Sequence, residues 1–351
     1  MQTHEGRRGA QVKVSRHAGS DRSRQDKAGD AGKAILSTLF SNYPPIAVWD
    51  DRVEMLRPET QVGTGWQILR RAGSYDVLIL DGARRCDRVA AALLRLHPRR
   101  PAIVMVEPHW EPEPWWKGML NRADIRLIDG SRTTFCVLSR FEVDAFPRTW
   151  GPLRGRVQFA PWPVTLKQPD FASLTTDGGR VFAGGNSLRD YDLLISAAAG
   201  VSAPIDIVTS TLSAEQMAAC PSNVHARPLP PAAYDELLFA ASVVVVPLRA
   251  RYDRTSGQTT YVNAMALGKP IVVTDAPGVR DYVEDGETGV IVPPGDSDAL
   301  AGAVQGLLDD RRERERLGRQ AQEQALERFP LTNYMRSLLE AADIALAGSS
   351  G

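Results

Sequence analysis

One uninterrupted stretch, Ser256 to Pro294 (SGQTTYVNAMALGKPIVVTDAPGVRDYVEDGETGVIVPP), constrains the fold more than any other part of the chain. It reads as a loop, a helix, a buried strand, a Pro-Gly turn, a short helix and a Gly-punctuated strand. Ser256 is a natural helix N-cap, and Gly257 lets a ligand come close to the backbone. Tyr261, Val262, Met265 and Ala266 share one helical face, and Gly268 stands where a C-terminal glycine closes a helix. Ile271, Val272 and Val273 form the short apolar run of a parallel strand buried on both faces. A helix opening on Ser-Gly-Gln-Thr-Thr presents unpaired N–H groups and a positive dipole end, which suits a diphosphate. Periodicity alone reads more simply as an ordinary strand–helix repeat with no ligand.

The pattern on either side is also α/β. Before this stretch, Ala34–Phe40, Tyr75–Leu80, Pro101–Val106, Ile125–Ile128 and Phe135–Leu138 read as strands, with helices at Arg88–Leu96 and Arg140–Phe146. Pro161-Trp162-Pro163 breaks the series. A second series starts near Arg180: strand Val181–Ala183, helix Tyr191–Ala199, strand Ile205–Val208, helix Tyr234–Ala241 and strand Val243–Val246. Alternation of this kind implies parallel sheets. The charged run Arg311–Arg316 reads as an exposed helical face with compensating pairs.

Composition fits a two-domain protein. The 351 residues are 43% hydrophobic, enough for two cores. Formal net charge is zero, so no global field favours nucleic acid. Cys86, Cys136 and Cys220 are far apart, show no metal-like spacing and point to a reducing, cytoplasmic setting. No apolar run is long enough to span a membrane. Residues 1–32 carry seven basic and four acidic residues and few large apolar ones, the composition of a disordered tail. A solvated leader is the simpler reading of that tail; peripheral contact with an anionic membrane is the alternative.

The Ser256–Pro294 stretch resembles the donor-binding signature of the retaining nucleotide-sugar glycosyltransferases of group 1. Its carriers are Ala264-Met265-Ala266, Gly268-Lys269-Pro270, Thr274-Asp275, Gly278, Glu284-Asp285-Gly286, Thr288-Gly289 and Val292 through Asp296. Weaker resemblance extends from about Lys33 to Leu346. The resemblance implies an α/β chain of GT-B architecture, with two Rossmann-like domains facing each other across a cleft. Its parts would be a tail at 1–32, an acceptor-binding domain at 33–165, a donor-binding domain at 166–330, and a helix at 331–347 returning to the first domain. The implied reaction moves a sugar from a nucleoside diphosphate, UDP or GDP, to an acceptor hydroxyl with retention. No metal and no cofactor are called for; the nucleotide sugar is a substrate. The acceptor would be a small molecule, a lipid-linked molecule or a glycan.

The chain departs from the family pattern at two glutamates. The positions in register are Thr255 and Asn263, and the sequence resembles a subset in which a Ser-Gly-Gln loop replaces the first glutamate. Asn263 can still hydrogen-bond a ribose hydroxyl. The expected donor site is Gly184, Gly185, Arg189, Arg254, Ser256, Gly257, Gln258, Thr259, Thr260 and Asn263. Arg189 stands one residue from the family's phosphate-binding lysine and is the catalytic candidate for stabilising the leaving diphosphate. It equally suits a surface position at a helix start. His109, at a strand end where ligands of open parallel sheets sit, is the second catalytic candidate. Glu107, His109, Trp110 and Trp115 make up the expected acceptor side. A silent GT-B-like partner protein and a nucleotide-sugar 2-epimerase are the alternative functions.

Overall fold

The computed structural model describes residues 34–39, 46–57, 60–97, 99–108, 110, 114–166, 178–249 and 254–348. His109, Phe40, Arg251 and the tail at 1–32 lie outside these residues. From Ala34 onward the chain forms one unit.

Two six-stranded parallel sheets organise it. The first contains β1 (Ile35–Ser37), β2 (Val53–Met55), β3 (Val77–Asp81), β4 (Ala102–Val106), β5 (Thr133–Val137) and β6 (Arg156–Phe159), in the order β2-β1-β3-β4-β5-β6. Its helices are α1 (Ala47–Asp50), α2 (Gln61–Arg71), α3 (Arg85–Leu94), α4 (Trp115–Ile128) and α5 (Arg140–Trp150). The second sheet contains β7 (Val181–Gly184), β8 (Ile205–Val208), β9 (Val224–Arg227), β10 (Val243–Val246), β11 (Ile271–Thr274) and β12 (Val290–Val292), in the order β12-β11-β10-β7-β8-β9. Its helices are α6 (Tyr191–Ala197), α7 (Ala214–Ala218), α8 (Pro231–Ala240), α9 (Gln258–Ala266), α10 (Ser297–Asp309) and α11 (Arg311–Arg328), and α12 (Leu331–Ala347) closes the chain.

The central strands are uniformly buried. β4 and β5 in the first sheet, and β10 and β11 in the second, are enclosed at every position. Continuous Val/Ile runs are what a parallel sheet covered on both faces requires. On one face of the first sheet, Ile68 of α2, Ala90 and Leu94 of α3, Ile125 of α4 and Phe146 of α5 share a core with Leu78, Met105 and Phe135. On the other face, Trp49 of α1 and Tyr334, Leu338 and Leu339 of α12 pack with Ile79 and Val104. The last helix therefore lies on the first sheet. In the second sheet α8, α9 and α11 cover one face, and α6 and α10 the other.

Several expectations need correction. Ile125–Ile128 is the last turn of α4, not a strand. Its apolar residues serve a buried helical face, which a short run cannot distinguish from a strand. The N-cap of α9 is Gly257, at φ +100°, not Ser256. Ser256 instead donates its hydroxyl to Ser187 O at 2.8 Å. The closing glycine is as expected: Gly268 is left-handed at φ +67°, and Lys269 N–H reaches back to Ala264 O at 2.9 Å, a Schellman motif. The charged run is half exposed and partly paired within itself, with Arg311–Glu315 at 2.7 Å and Arg316–Glu313 at 2.6 Å, while Arg314 turns to the Leu307 and Leu308 carbonyls.

Candidate active site

The carboxyl ends of the two sheets approach one another, and hydrogen bonds fix the approach. Tyr282 Oη donates to Leu138 O at 2.6 Å and accepts from Trp162 N–H at 2.8 Å. Arg140 N–H donates to Asp281 at 2.8 Å. A cavity of about 300 Å³ lies between the sheets. Gly185, Asn186, Ser187, Arg189, Tyr234 and Thr255–Thr260 line it from the second sheet's side, and Glu107 and Leu138 from the first. Trp162 of the linker completes the lining, and its indole N–H has no hydrogen-bond partner among the described residues.

Arg189 dominates the electrostatics. Its residue exposure is only 9%. Nε donates to Gly184 O at 3.0 Å, Nη1 to Ser187 O at 2.6 Å and Ser256 Oγ at 3.4 Å, and Nη2 to Thr260 Oγ1 at 3.0 Å. Every partner is a neutral oxygen; among the described residues no carboxylate pairs with it. Burial accordingly pushes its pKa below the ordinary arginine value. A buried cation held by neutral groups favours an incoming anion. Arg189 is thus neither an exposed side chain nor a free one. It ties the β7–α6 loop to the start of α9.

The start of α9 adds to this field. Gly257 is left-handed, and a Cβ there would lie 3.0 Å from the Tyr261 ring and 3.3 Å from Leu248 Cδ2. The N–H groups of Gln258 and Thr259 fall in the first helical turn, where the helix itself supplies no acceptor. Thr259 is exposed on the cavity wall; Gln258 is enclosed and donates Nε2 to Thr255 Oγ1 at 2.7 Å.

Two carboxyls reach the cleft from the first sheet. Glu107 directly follows β4 with a φ of +49° and lines the cavity. Burial, reinforced by Asp81, pushes its carboxyl up to about 8. Glu142 stands in the first turn of α5, capped by Ser139. It accepts from Thr255 N–H at 3.1 Å and Thr255 Oγ1 at 2.9 Å. Burial raises its pKa, against the opposing pull of those bonds. The position where the family pattern has its first glutamate therefore receives a carboxylate from the other domain.

The remaining expected residues divide. Gly185, Ser256, Gly257, Gln258, Thr259, Thr260, Arg189 and Glu107 come together at the cavity. Gly184 sits beneath it, where a Cβ would be 2.4 Å from the Tyr234 ring. Arg254 borders an adjoining small cavity with Glu107, Glu142 and Trp110. Asn263 does not line the cavity. Its amide accepts from Thr165 N–H at 2.9 Å and donates to Thr165 Oγ1 at 2.9 Å, because its side of α9 faces the linker. Trp110 borders that small cavity but leaves little of its ring open to it. It is 2% exposed and packs edge-on to Phe135 in the first sheet's core, since the chain turns inward after β4. Trp115 is 72% exposed on α4 and lines neither cavity. Sequence reasoning missed Glu142, Ser187 and Tyr234. The Ser139-x-x-Glu142 spacing signals a helix start and nothing about a partner on the other sheet.

Residues 226–324 match the family described as glycosyl transferases group 1. The chain is 35% identical over 85 residues to the alpha-D-kanosaminyltransferase of Streptomyces kanamyceticus, covering 24% of this chain and 21% of that protein. It is 49% identical over 55 residues to the phosphatidyl-myo-inositol mannosyltransferase of Mycobacterium leprae, covering 16% and 15%. These matches span only a minor part of the relatives' length. Structural likeness is broader. HepE of Anabaena in complex with UDP superposes with a TM-score of 0.62 at 18% identity, covering 84% of this chain and 86% of that one. Sucrose-phosphate synthase of Thermosynechococcus elongatus gives 0.63 at 19% identity, covering 94% of each. The fold is the GT-B arrangement of two Rossmann-like domains.

Proposed function

We propose that this chain is a glycosyltransferase that moves a sugar from a nucleoside diphosphate to an acceptor hydroxyl. One observation carries the reading: a buried arginine with no carboxylate partner among the described residues faces the same cavity as the first turn of α9. The two together suit a diphosphate. The second sheet, on this reading, holds the donor, and the first sheet presents the acceptor near Glu107. The group 1 match over 226–324 and the glycosyltransferase names of the relatives support it. HepE was crystallised with UDP, which favours a uridine donor here.

In the reaction, charge builds on the departing diphosphate. Arg189 and the N–H groups of Gln258 and Thr259 stabilise that charge in a water-poor cleft. Glu142 holds Thr255, and through Thr255 the Gln258 side chain, in place at the sugar end. The reaction retains configuration and needs no metal.

The test is calorimetric titration of UDP and GDP, with and without EDTA, followed by product analysis of UDP-sugars incubated with the protein. The expected result is metal-independent binding of one nucleotide and slow release of free sugar. Isomerised nucleotide sugar would instead identify an epimerase. The absence of nucleotide binding would overturn the reading.

A further inference from the structure

Thirteen large hydrophobic side chains stand exposed among the described residues, and ten of them fall between Val62 and Leu127. They belong to α2, α3, α4 and the turn after α3. These helices lie side by side on one face of the first sheet, with Ile68, Ala90, Leu94 and Ile125 turned into the shared core. The opposite sides of the same helices carry Trp66, 66% exposed, Leu93, 47%, Trp116, 48%, and Leu120, 61%. Between α2 and α3 the surface opens into an apolar groove of about 350 Å³ bordered by Trp66, Val89 and Leu93. An apolar surface of this extent on a folded chain marks an interaction site.

Charge identifies the occupant. The chain as a whole has 42 basic and 42 acidic residues. The three helices have seven basic residues and two acidic ones, Asp87 and Asp124. Asp87 is buried and bonded to Thr38, so it contributes little to the outer field. Arg70, Arg85, Lys117, Arg122 and Arg126 are all exposed. A second copy would bring the same cations against them in a two-fold contact, which like-charge repulsion opposes. Tryptophan and leucine interleaved with arginine and lysine suit the interfacial zone of an anionic bilayer. The rings and aliphatic chains enter the headgroup region while the cations meet the phosphates.

We infer that the outer face of α2, α3 and α4 docks this protein on the surface of a membrane rich in acidic phospholipid. The inference does not depend on the chemistry of the cleft. The test is co-sedimentation of the full chain with phosphatidylcholine vesicles and with vesicles containing about one part in four phosphatidylglycerol. Two variants accompany it, Trp66→Ser with Leu93→Ser, and Arg122→Glu with Arg126→Glu. All four side chains are exposed, so both variants should keep the circular dichroism of the parent. Binding to the acidic vesicles alone is expected, weakening as salt rises from about 0.1 M to about 0.5 M. Each variant should lose about tenfold or more in partition. If one variant failed to fold, the other decides. No sedimentation with acidic vesicles, or partition of the variants equal to that of the parent, would overturn the inference. A concentration-dependent dimer seen by light scattering, broken by Trp66→Ser with Leu93→Ser and unaccompanied by vesicle binding, would overturn it in favour of a second copy.

Discussion

Arg189 separates a structural role from a role in holding phosphate, and two substitutions can resolve the two. Arg189→Lys keeps the charge but replaces three spread nitrogens with one. It cannot reach Gly184 O, Ser187 O and Thr260 Oγ1 together, since these are served by different nitrogens at 3.0, 2.6 and 3.0 Å. Losing two such charge-assisted bonds should cost about 3–6 kcal/mol of stability. Arg189→Met loses all of these bonds and the charge. It also removes the cost of burying that charge, so its stability loss should be similar or smaller. Nucleotide binding should divide the variants. At roughly 5 Å and an effective dielectric of about 20, a unit charge pair is worth about 3 kcal/mol. Desolvation of the phosphate offsets about half of that, leaving roughly tenfold in affinity. Urea unfolding gives the stability of each variant, and titration calorimetry with UDP gives the affinity. Arg189→Met should bind UDP about ten times more weakly than Arg189→Lys. Equal affinities in the two variants would show that Arg189 only braces the loop.

Thr259→Glu should abolish UDP binding with little loss of stability, because Thr259 is exposed on the cavity wall and beside the first-turn N–H groups; retained binding in calorimetry would displace the donor site. Gly257→Glu cannot replace it as a probe, since its strained φ and the nearby Tyr261 ring would unfold the site on their own. Glu107→Gln should flatten the pH dependence of stability. The carboxyl is raised in the folded state, from 4.5 to about 8, so its contribution is complete below pH 4.5 and is lost as pH rises towards 8. Urea midpoints of parent and variant, compared across that window, should converge in slope at both ends; parallel curves throughout would show that the Glu107 carboxyl is not raised in the folded protein.

The sequence by itself determined the parallel character of both sheets, the helices at Tyr191, Tyr234 and Gln258, and the Gly268 closure. Each depends on neighbours in the chain: apolar runs such as Val243–Val246, or a glycine at a positive φ. Tertiary structure alone decided the rest. Arg189 suited a phosphate contact and a surface position at a helix start equally, and only the approach of Ser256 and Thr260, far along the chain, encloses it. Asn263 had the chemistry for a ribose, but the linker's Thr165 occupies its amide. Trp110 had the look of a sugar platform, and the core behind β4 took it. The carboxylate at Thr255 comes from Glu142, 113 residues earlier and on the other sheet. Local pattern reports what a residue offers; burial and charge pairing depend on which distant segment folds against it, and that is set by packing across the cleft.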